Sequence, residues 1–518
     1  MGDSKNIESI EINLNSTGSS NSYSSDNVEN SSLENNNLFK GETVKFACAI
    51  GLPNYDNDEN HLLSDGEKDH IDQNIGLPTL NLIIEKIGYS TYHVLLIFTC
   101  GFIYFSEGCQ VYIINLLSND ITKYFSTDTH SSKEFLSSSI FFGFLIGCLL
   151  VGVSTSYLAR NNPIKICLCI FLILSFLIVI IPIFALFIII RIIIGICLGI
   201  MCPQIITNLS EILPTHYREV VILVAYIFYR LGIVYFILCF ILLSKYTTWK
   251  VIMLLGSFPV LVAIILCFLF LKNSPKLLFI QNKFQNGLTN LKEIAAYKNI
   301  QITQNEEELL KEEVIAHAEI DNKTPLMALI TDSYHRKVLI LCIFIFTCSS
   351  MINMINLYAL PLIKFLNKDH NDMTILYEII LSQLVTIPAI ILSGFFSTIS
   401  NVGKKITIIT GLVTCFFVSL IPLFYHDALI LCSSIVNFFV VFSYCSTKVY
   451  ILENFPTKYK DYAISICYFF AKVGDALSPL ICDLIYHYYI YSPLGIISVI
   501  ALIGLIAAII LPVENSGD

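Results

Sequence analysis

N-L-S-E-I-L-P-T-H-Y-R-E, residues 208–219, runs into an apolar segment that ends Y-I-F-Y-R-L-G at Gly232. The pattern returns 242 residues later as Y-I-L-E-N-F-P-T-K-Y-K-D, residues 450–461, which runs into Y-F-F-A-K-V-G at Gly474. Glu211 falls on Glu453, Pro214 on Pro456, Thr215 on Thr457, Tyr217 on Tyr459 and Arg218 on Lys460. Past the turn, Tyr226 falls on Tyr468, Arg230 on Lys472 and Gly232 on Gly474. An unbroken register over about 25 residues marks an internal duplication. The chain is two related halves joined head to tail.

Working outward, runs of about 20 apolar residues recur, long enough to cross the roughly 30 Å hydrocarbon layer as helices. Of the 518 residues 55% are hydrophobic and 14% charged, a balance that excludes an ordinary soluble globular chain. Backbone groups in lipid must bond internally, and runs of this length select helices over barrel strands. Twelve spans are predicted, near 89–117, 135–158, 165–186, 187–210, 219–243, 250–271, 338–362, 374–398, 405–424, 428–452, 461–486 and 492–511. The expected fold is therefore an all-α membrane protein with twelve transmembrane helices in two parallel-repeat six-helix bundles, 85–271 and 338–512. A hydrophilic stretch, 272–337, joins them, and its E-E-E-L-L-K-E-E pattern predicts amphipathic helices.

Residues 1–84 are rich in Asn and Ser and hold fourteen acids against four lysines. Such a segment buries too little apolar surface to offset its ordering entropy, so a disordered tail is expected, without a cleavable signal. The apolar patch at 43–52 reads as a local contact. The net charge of −9 belongs to this tail; the remaining chain carries 26 acids and 27 lysines and arginines, nearly neutral. Seventeen cysteines suggest no disulfide framework, because all but Cys48 lie in or beside apolar segments, where thiols act as small hydrophobes. With the N-terminus inside, sixteen lysines and arginines fall on inner segments and six on outer loops, which puts both termini in the cytosol.

Arg191-x3-Gly195-x3-Gly199-x3-Pro203 followed by Glu211-x2-Pro214-x3-Arg218 resembles the fourth-span signature of the major facilitator superfamily. Three further stretches resemble its synaptic-vesicle-protein-2-like and organic-ion branch. They are the acidic first-span segment Phe105–Val111, the Trp249-Lys250 pair, and Asn273-Ser274-Pro275-Lys276-Leu277-Leu278 with Lys292-Glu293 and Asn299 beyond. The resemblance covers about residues 85–512. It departs from the family's inner-loop motif, where Ser156 and Ser400 stand at the aspartate positions beside Arg160 and Lys404-Lys405. A charge latch between the halves is thereby weakened. The outer loop 118–134 is short and lacks cysteine, unlike that of animal organic-ion carriers.

Ionisable residues inside spans carry the chemistry, since each costs about 2.5–3.5 kcal/mol at mid-bilayer on insertion scales. They are Glu107, Arg191, Arg230, Lys448, Lys472, Asp475 and Asp483. The context of Lys472, Ala471-Lys472-Val473-Gly474, resembles the eleventh-span Ala-Arg-x-Gly of organic anion carriers. Its mirror is Arg230, and Tyr226 and Tyr468 stand four residues earlier, each on the same helical face as its cation. Two cations and two phenols meeting near mid-membrane suit a small carboxylate. The bland alternative pairs Lys472 with Asp475 one turn away and merely locks the bundle.

Glu107 is a candidate proton-coupling acid, with Asp475 beside it in that role; Glu107 could equally pair with Arg191 or Arg230, or sit wet near the outer mouth. Arg191 is expected near the outer end of span four and Lys448 near the inner end of span ten, where long side chains snorkel. Arg191, Glu211, Arg218, Glu453 and Lys460 are read as gating or structural, the acids and bases cross-linking inner helix ends beyond helix-stopping prolines. Asn353, Asn356 and Tyr358 on span seven suit a cavity wall, or hydrogen bonds between helices.

No phosphate-cradling Gly-rich loop, nucleophile triad, metal spacing or basic aromatic face is present, so an enzyme, a bound cofactor, a metal site and nucleic-acid binding are not expected. The expected function is secondary transport of a small organic anion, a monocarboxylate such as a pantothenate-type vitamin, by alternating access with Glu107 coupling a proton. Membrane lipid, the solute and protons are the partners, and a monomer suffices. The plasma membrane is the expected site, an internal vesicle the alternative. Competing expectations are an organic cation or sugar carrier with Glu107 or Asp475 as counter-ion, and a non-transporting sensor or scaffold.

Overall fold

The structure, a computed structural model, describes residues 78–127, 130–157, 161–215, 218–320, 333–367, 372–399, 401–425, 428–455, 457–486 and 492–512. All lie within one compact unit, Leu63–Asp518. Most of the acidic tail with its patch at 43–52, the motif positions Arg160 and Ser400, and the side chains of Ser156 and Asp483 fall outside the described residues.

The first half holds six long helices: α2 (Thr91–Tyr124), α3 (His130–Tyr157), α4 (Asn161–Ile180), α5 (Phe184–Ile212), α6 (Arg218–Leu243) and α7 (Trp249–Phe270). The second half repeats them as α11 (Ser333–Asn367), α12 with α13 (Asp372–Leu384 and Thr386–Ile399), α14 (Asn401–Leu420), α15 (Leu429–Asn454), α16 (Thr457–Tyr486) and α17 (Ser492–Ile510). Among the described residues, eleven helices are long and apolar enough to cross a membrane; the apolar part of α3, Phe135–Val151, is the shorter twelfth. Their outer faces carry Ile173, Phe176, Phe268, Leu269, Phe417 and Ile509, all more than half exposed. Lipid is the solvent such faces fit.

The eighth span, expected as one helix, is two pieces broken at Val385. Pro388 lacks the N–H that would bond the Leu384 carbonyl, so the ladder has a gap at that turn. Short helices α8 (Pro275–Ile280), α9 (Phe284–Ala296) and α10 (Gln304–Ile320) occupy the stretch between the halves. Ser274 caps α8 by accepting from Leu277 N–H at 3.3 Å, and Pro275 opens it.

Before α2 comes α1 (Pro78–Ile87), where the tail was expected to stay disordered to residue 84. Leu80, Ile83, Ile84 and Ile87 form a buried stripe at helical spacing, enough apolar surface to order this turn. Thr79 N–H donates to Glu313 at 3.1 Å and Lys86 pairs with Glu306 at 2.7 Å, fastening α1 to α10. Glu85 also accepts from Thr215 at the end of the first repeated turn.

Within the halves, α2 packs on α6 and α3 on α5; in the second half α11 packs on α16 and α13 on α15, the same pairs. The α2–α6 crossing is close because a Cβ at Gly108 or Gly232 would run into the carbonyls of Tyr229 or Phe105. Between the halves α3 packs on α16 and α6 on α12 and α13, again mirror images. Ser138 donates to the Ala476 carbonyl at 3.0 Å in one of these seams. In the other, Gly394 lets the backbone of Val220 close in.

Candidate functional site

A small cavity lies between the halves. Glu107, Tyr226 and Tyr229 line it from the first half; Asn353, Tyr444, Lys448, Tyr468, Lys472 and Asp475 line it from the second. It is narrow, with room for about one water-sized sphere.

Lys472 is 4% exposed, and its Nζ lies 3.1 Å from Asp475 Oδ2 and 3.5 Å from Glu107 Oε1. The two readings of Lys472 thus meet: it is paired, and it still faces the cavity. Asp475 holds the other end of its carboxylate against Ser350 Oγ at 2.5 Å. Glu107 also accepts from the Cys202 thiol at 3.3 Å. Because Glu107 stands on α2 and Lys472 on α16, their contact is an ion pair from one half to the other.

Arg230 is also buried, at 1% exposed. Its guanidinium donates to Gln383 Oε1 at 2.9 Å and Asn353 Oδ1 at 3.2 Å, both in the opposite half. Its Nε has no hydrogen-bond partner. Tyr226 and Tyr468, one turn before the two cations, both reach the cavity wall.

Lys448 does not snorkel. It is fully buried, its Nζ donates to no hydrogen-bond partner, and it stands 3.4 Å from the centre of the Tyr226 ring and 4.5 Å from that of Tyr444. The helix α15 packs against α11, α13 and α14, and Lys448 is 0% exposed, so its ammonium does not reach the surface as a snorkelling one would.

Arg191 likewise stays inside, 0% exposed, and donates to the Gln110 side-chain and backbone oxygens at 2.9 and 3.2 Å. It ties α5 to α2 away from the cavity wall. Gln110 passes the network on to Ser257 at 3.2 Å. Asn353 lines the cavity, whereas Asn356 closes a reciprocal pair with Ser433, 2.9 Å to its carbonyl and 3.0 Å from its hydroxyl. Asn356 therefore joins α11 to α15.

The repeated turns lie at helix ends, clear of the cavity. Glu453 pairs with Lys404. Arg218 Nε donates to the Leu213 carbonyl at 3.2 Å, closing the first turn, while Glu211 and Lys460 are buried at their helix ends.

Three tyrosine–cation pairs share one spacing: Tyr226-x3-Arg230, Tyr444-x3-Lys448 and Tyr468-x3-Lys472. That recurrence was the signal for Lys448 and Tyr444. It is hidden from a search by mirrored positions, because the duplication puts Ile206 opposite Lys448. Tyr104, Tyr229, Gln383 and Ser350 carried no such signal; only helix rotation turns them inward.

Over residues 93–514 the chain matches the family of sugar (and other) transporters, and it belongs to that family of major facilitator transporters. Relatives include the Synaptic vesicle 2-related protein of Rattus norvegicus, 22% identical over 464 residues, covering 84% of this chain and 80% of the relative. The Putative transporter SVOPL of Danio rerio is 22% identical and covers 85% of this chain and 89% of its own. Among solved structures, the proton:xylose symporter XylE bound to 6-bromo-6-deoxy-D-glucose superposes with a TM-score of 0.70 at 15% identity, over 82% of this chain and 97% of that one. The likeness to XylE is one of fold.

Proposed function

We propose that this protein is a secondary transporter that carries a small organic anion of the monocarboxylate class through the central cavity, coupled to a proton. One observation supports the substrate class most: Lys448, Lys472 and Arg230 face or adjoin the cavity against two carboxylates, Glu107 and Asp475. A single negative charge on the solute would complete the balance, and a pantothenate-type vitamin is one instance. Unbalanced charge in a dry site is costly, so solute entry is favoured most strongly for a monovalent anion.

Coupling follows from the ion pair between the halves. Protonation of Glu107 removes its hold on Lys472 across 3.5 Å and so releases this link between α2 and α16. Alternating access then needs the two halves to rock about the cavity once the anion is seated. The vesicle relatives support an internal vesicle membrane over the plasma membrane, with the lysine distribution supporting cytosolic termini.

A second reading, a neutral sugar, draws on the name of the family and on XylE, a proton:xylose symporter. The phenols and the amides of Asn353 and Gln383 could hydrogen-bond hydroxyl groups. Liposomes holding the full chain separate the two. Under an inward proton gradient, labelled pantothenate or benzoate should accumulate and xylose should not. Glu107→Gln should abolish gradient-driven accumulation while anion exchange persists. Uptake of xylose alone would favour the sugar reading, and binding without flux of either solute would point to a sensor.

A further inference from the structure

Lys448 has an unusual shell. Its ammonium lies 3.4 Å from the ring centre of Tyr226, 4.5 Å from Tyr444, 5.4 Å from Tyr468 and 5.8 Å from Tyr104. No hydrogen-bond partner reaches its Nζ, and the hydroxyls of Tyr104 and Tyr468 also lack one. The neighbouring carboxylates are engaged elsewhere, Asp475 with Ser350 and both Asp475 and Glu107 with Lys472. Four electron-rich ring faces around one point are the arrangement that recognises small organic cations. Here the cage is filled from within, by a side chain of the same protein.

We propose that Lys448 fixes the sign of the cargo. Its ammonium occupies the tyrosine cage, which bars a positively charged solute, and it offers an incoming anion a cation that, unlike Lys472 and Arg230, has neither a carboxylate at ion-pair distance nor a hydrogen-bond partner. This deepens the anion reading above and rests on it for the second half of the claim. The first half stands alone: without the lysine, an empty cage would face Glu107 and Asp475, a site for a quaternary ammonium group. A lysine that merely plugs a core would leave no such preference behind.

The test uses the purified full chain in detergent, with benzoate and tetramethylammonium as probes and binding read as the ligand-dependent shift in melting temperature. The wild type should respond to benzoate and not to tetramethylammonium. Lys448→Ala should lose about tenfold or more in benzoate affinity and gain tetramethylammonium binding by a similar factor, the scale of one desolvated cation–aromatic site. Lys448→Arg should keep the anion preference. Lys448→Ser serves as a second small, neutral variant should the alanine variant fail to fold. A folded neutral variant that binds both probes as the wild type does overturns the inference, as does a wild type that binds tetramethylammonium. If the wild type binds no carboxylate, the anion reading falls, and a gain of tetramethylammonium binding in the neutral variants would still uphold the cage.

Discussion

Arg230 and Lys472 occupy the same position in the two repeats, yet they are neutralised differently. Arg230 gives its terminal nitrogens to two amide oxygens, Gln383 and Asn353. Lys472 sits between two carboxylates, Asp475 and Glu107. Amides hold a charge without cancelling it, whereas carboxylates cancel it. Both cations nevertheless reach across the interface, Arg230 to the second half and Lys472 to the first. An inherited position determines where charge sits; neighbours outside the repeat determine what that charge can do. The duplication itself puts Ile233 opposite Asp475, so the acid has no mate.

The sharpest break of this contrast is the pair Lys472→Met and Arg230→Met. Without Lys472 two buried carboxylates face one another, and removing one partner of a buried pair costs about 3–5 kcal/mol. Without Arg230 two amide oxygens lose a donor, at about 1–3 kcal/mol. Thermal unfolding in detergent measures both, and equal losses would erase the distinction. Adding Glu107→Gln to Lys472→Met should recover part of the larger loss, because one uncompensated charge is gone.

The mirrored glycines sharpen the comparison further. A Cβ at Gly232 would collide with the Phe105 backbone, while at Gly474 the nearest atoms are Met351 Cβ at 3.3 Å and Thr347 Cγ2 and carbonyl oxygen at 3.4 Å, close to ordinary contact. Gly232→Ala is expected to cost about 1–3 kcal/mol through overpacking against backbone that cannot yield. Gly474→Ala should be neutral to within about 1 kcal/mol, since the gain in helix propensity offsets a tight contact. The same melting assay ranks them.

The smallest effect belongs to an ion pair outside the membrane-spanning helices, Lys86 with Glu306, 46% and 25% exposed. Burial would raise the Glu306 carboxyl, but the Lys86 ammonium and the Thr303 N–H and hydroxyl hold it below its ordinary value. A depressed folded value means the stabilisation is present above the unfolded pKa of about 4.3 and is lost as pH falls through the folded one. Glu306→Gln should therefore loosen α1 by no more than about 0.5–1 kcal/mol at neutral pH. Hydrogen exchange in Pro78–Ile87, corrected for intrinsic rates, should show the variant and wild type converging toward pH 3.

Much of the site was legible. Arg230, Lys472, Tyr226 and Tyr468 came from one repeated line of text, and Glu107 and Asp475 from the rarity of acids in apolar spans. Lys448 was misplaced, because a lysine near a predicted helix end is ordinarily a snorkelling one. Its burial depends on which face of α15 turns inward, and that rotation is set by neighbours such as α11 and α13 rather than by the local pattern. Asn356 shows the converse, a polar residue of the right type whose oxygen and nitrogen Ser433 already occupies.

By itself the sequence determined the duplication, the number of crossings and the family, because bilayer thickness sets helix length and leaves few alternatives. The pairing of Glu107 with Lys472, 365 residues apart, was decided only in three dimensions. So was the gathering of tyrosines from α2, α6, α15 and α16 around one ammonium. Charge in a low-dielectric interior answers to the few atoms within reach, and those atoms are chosen by packing.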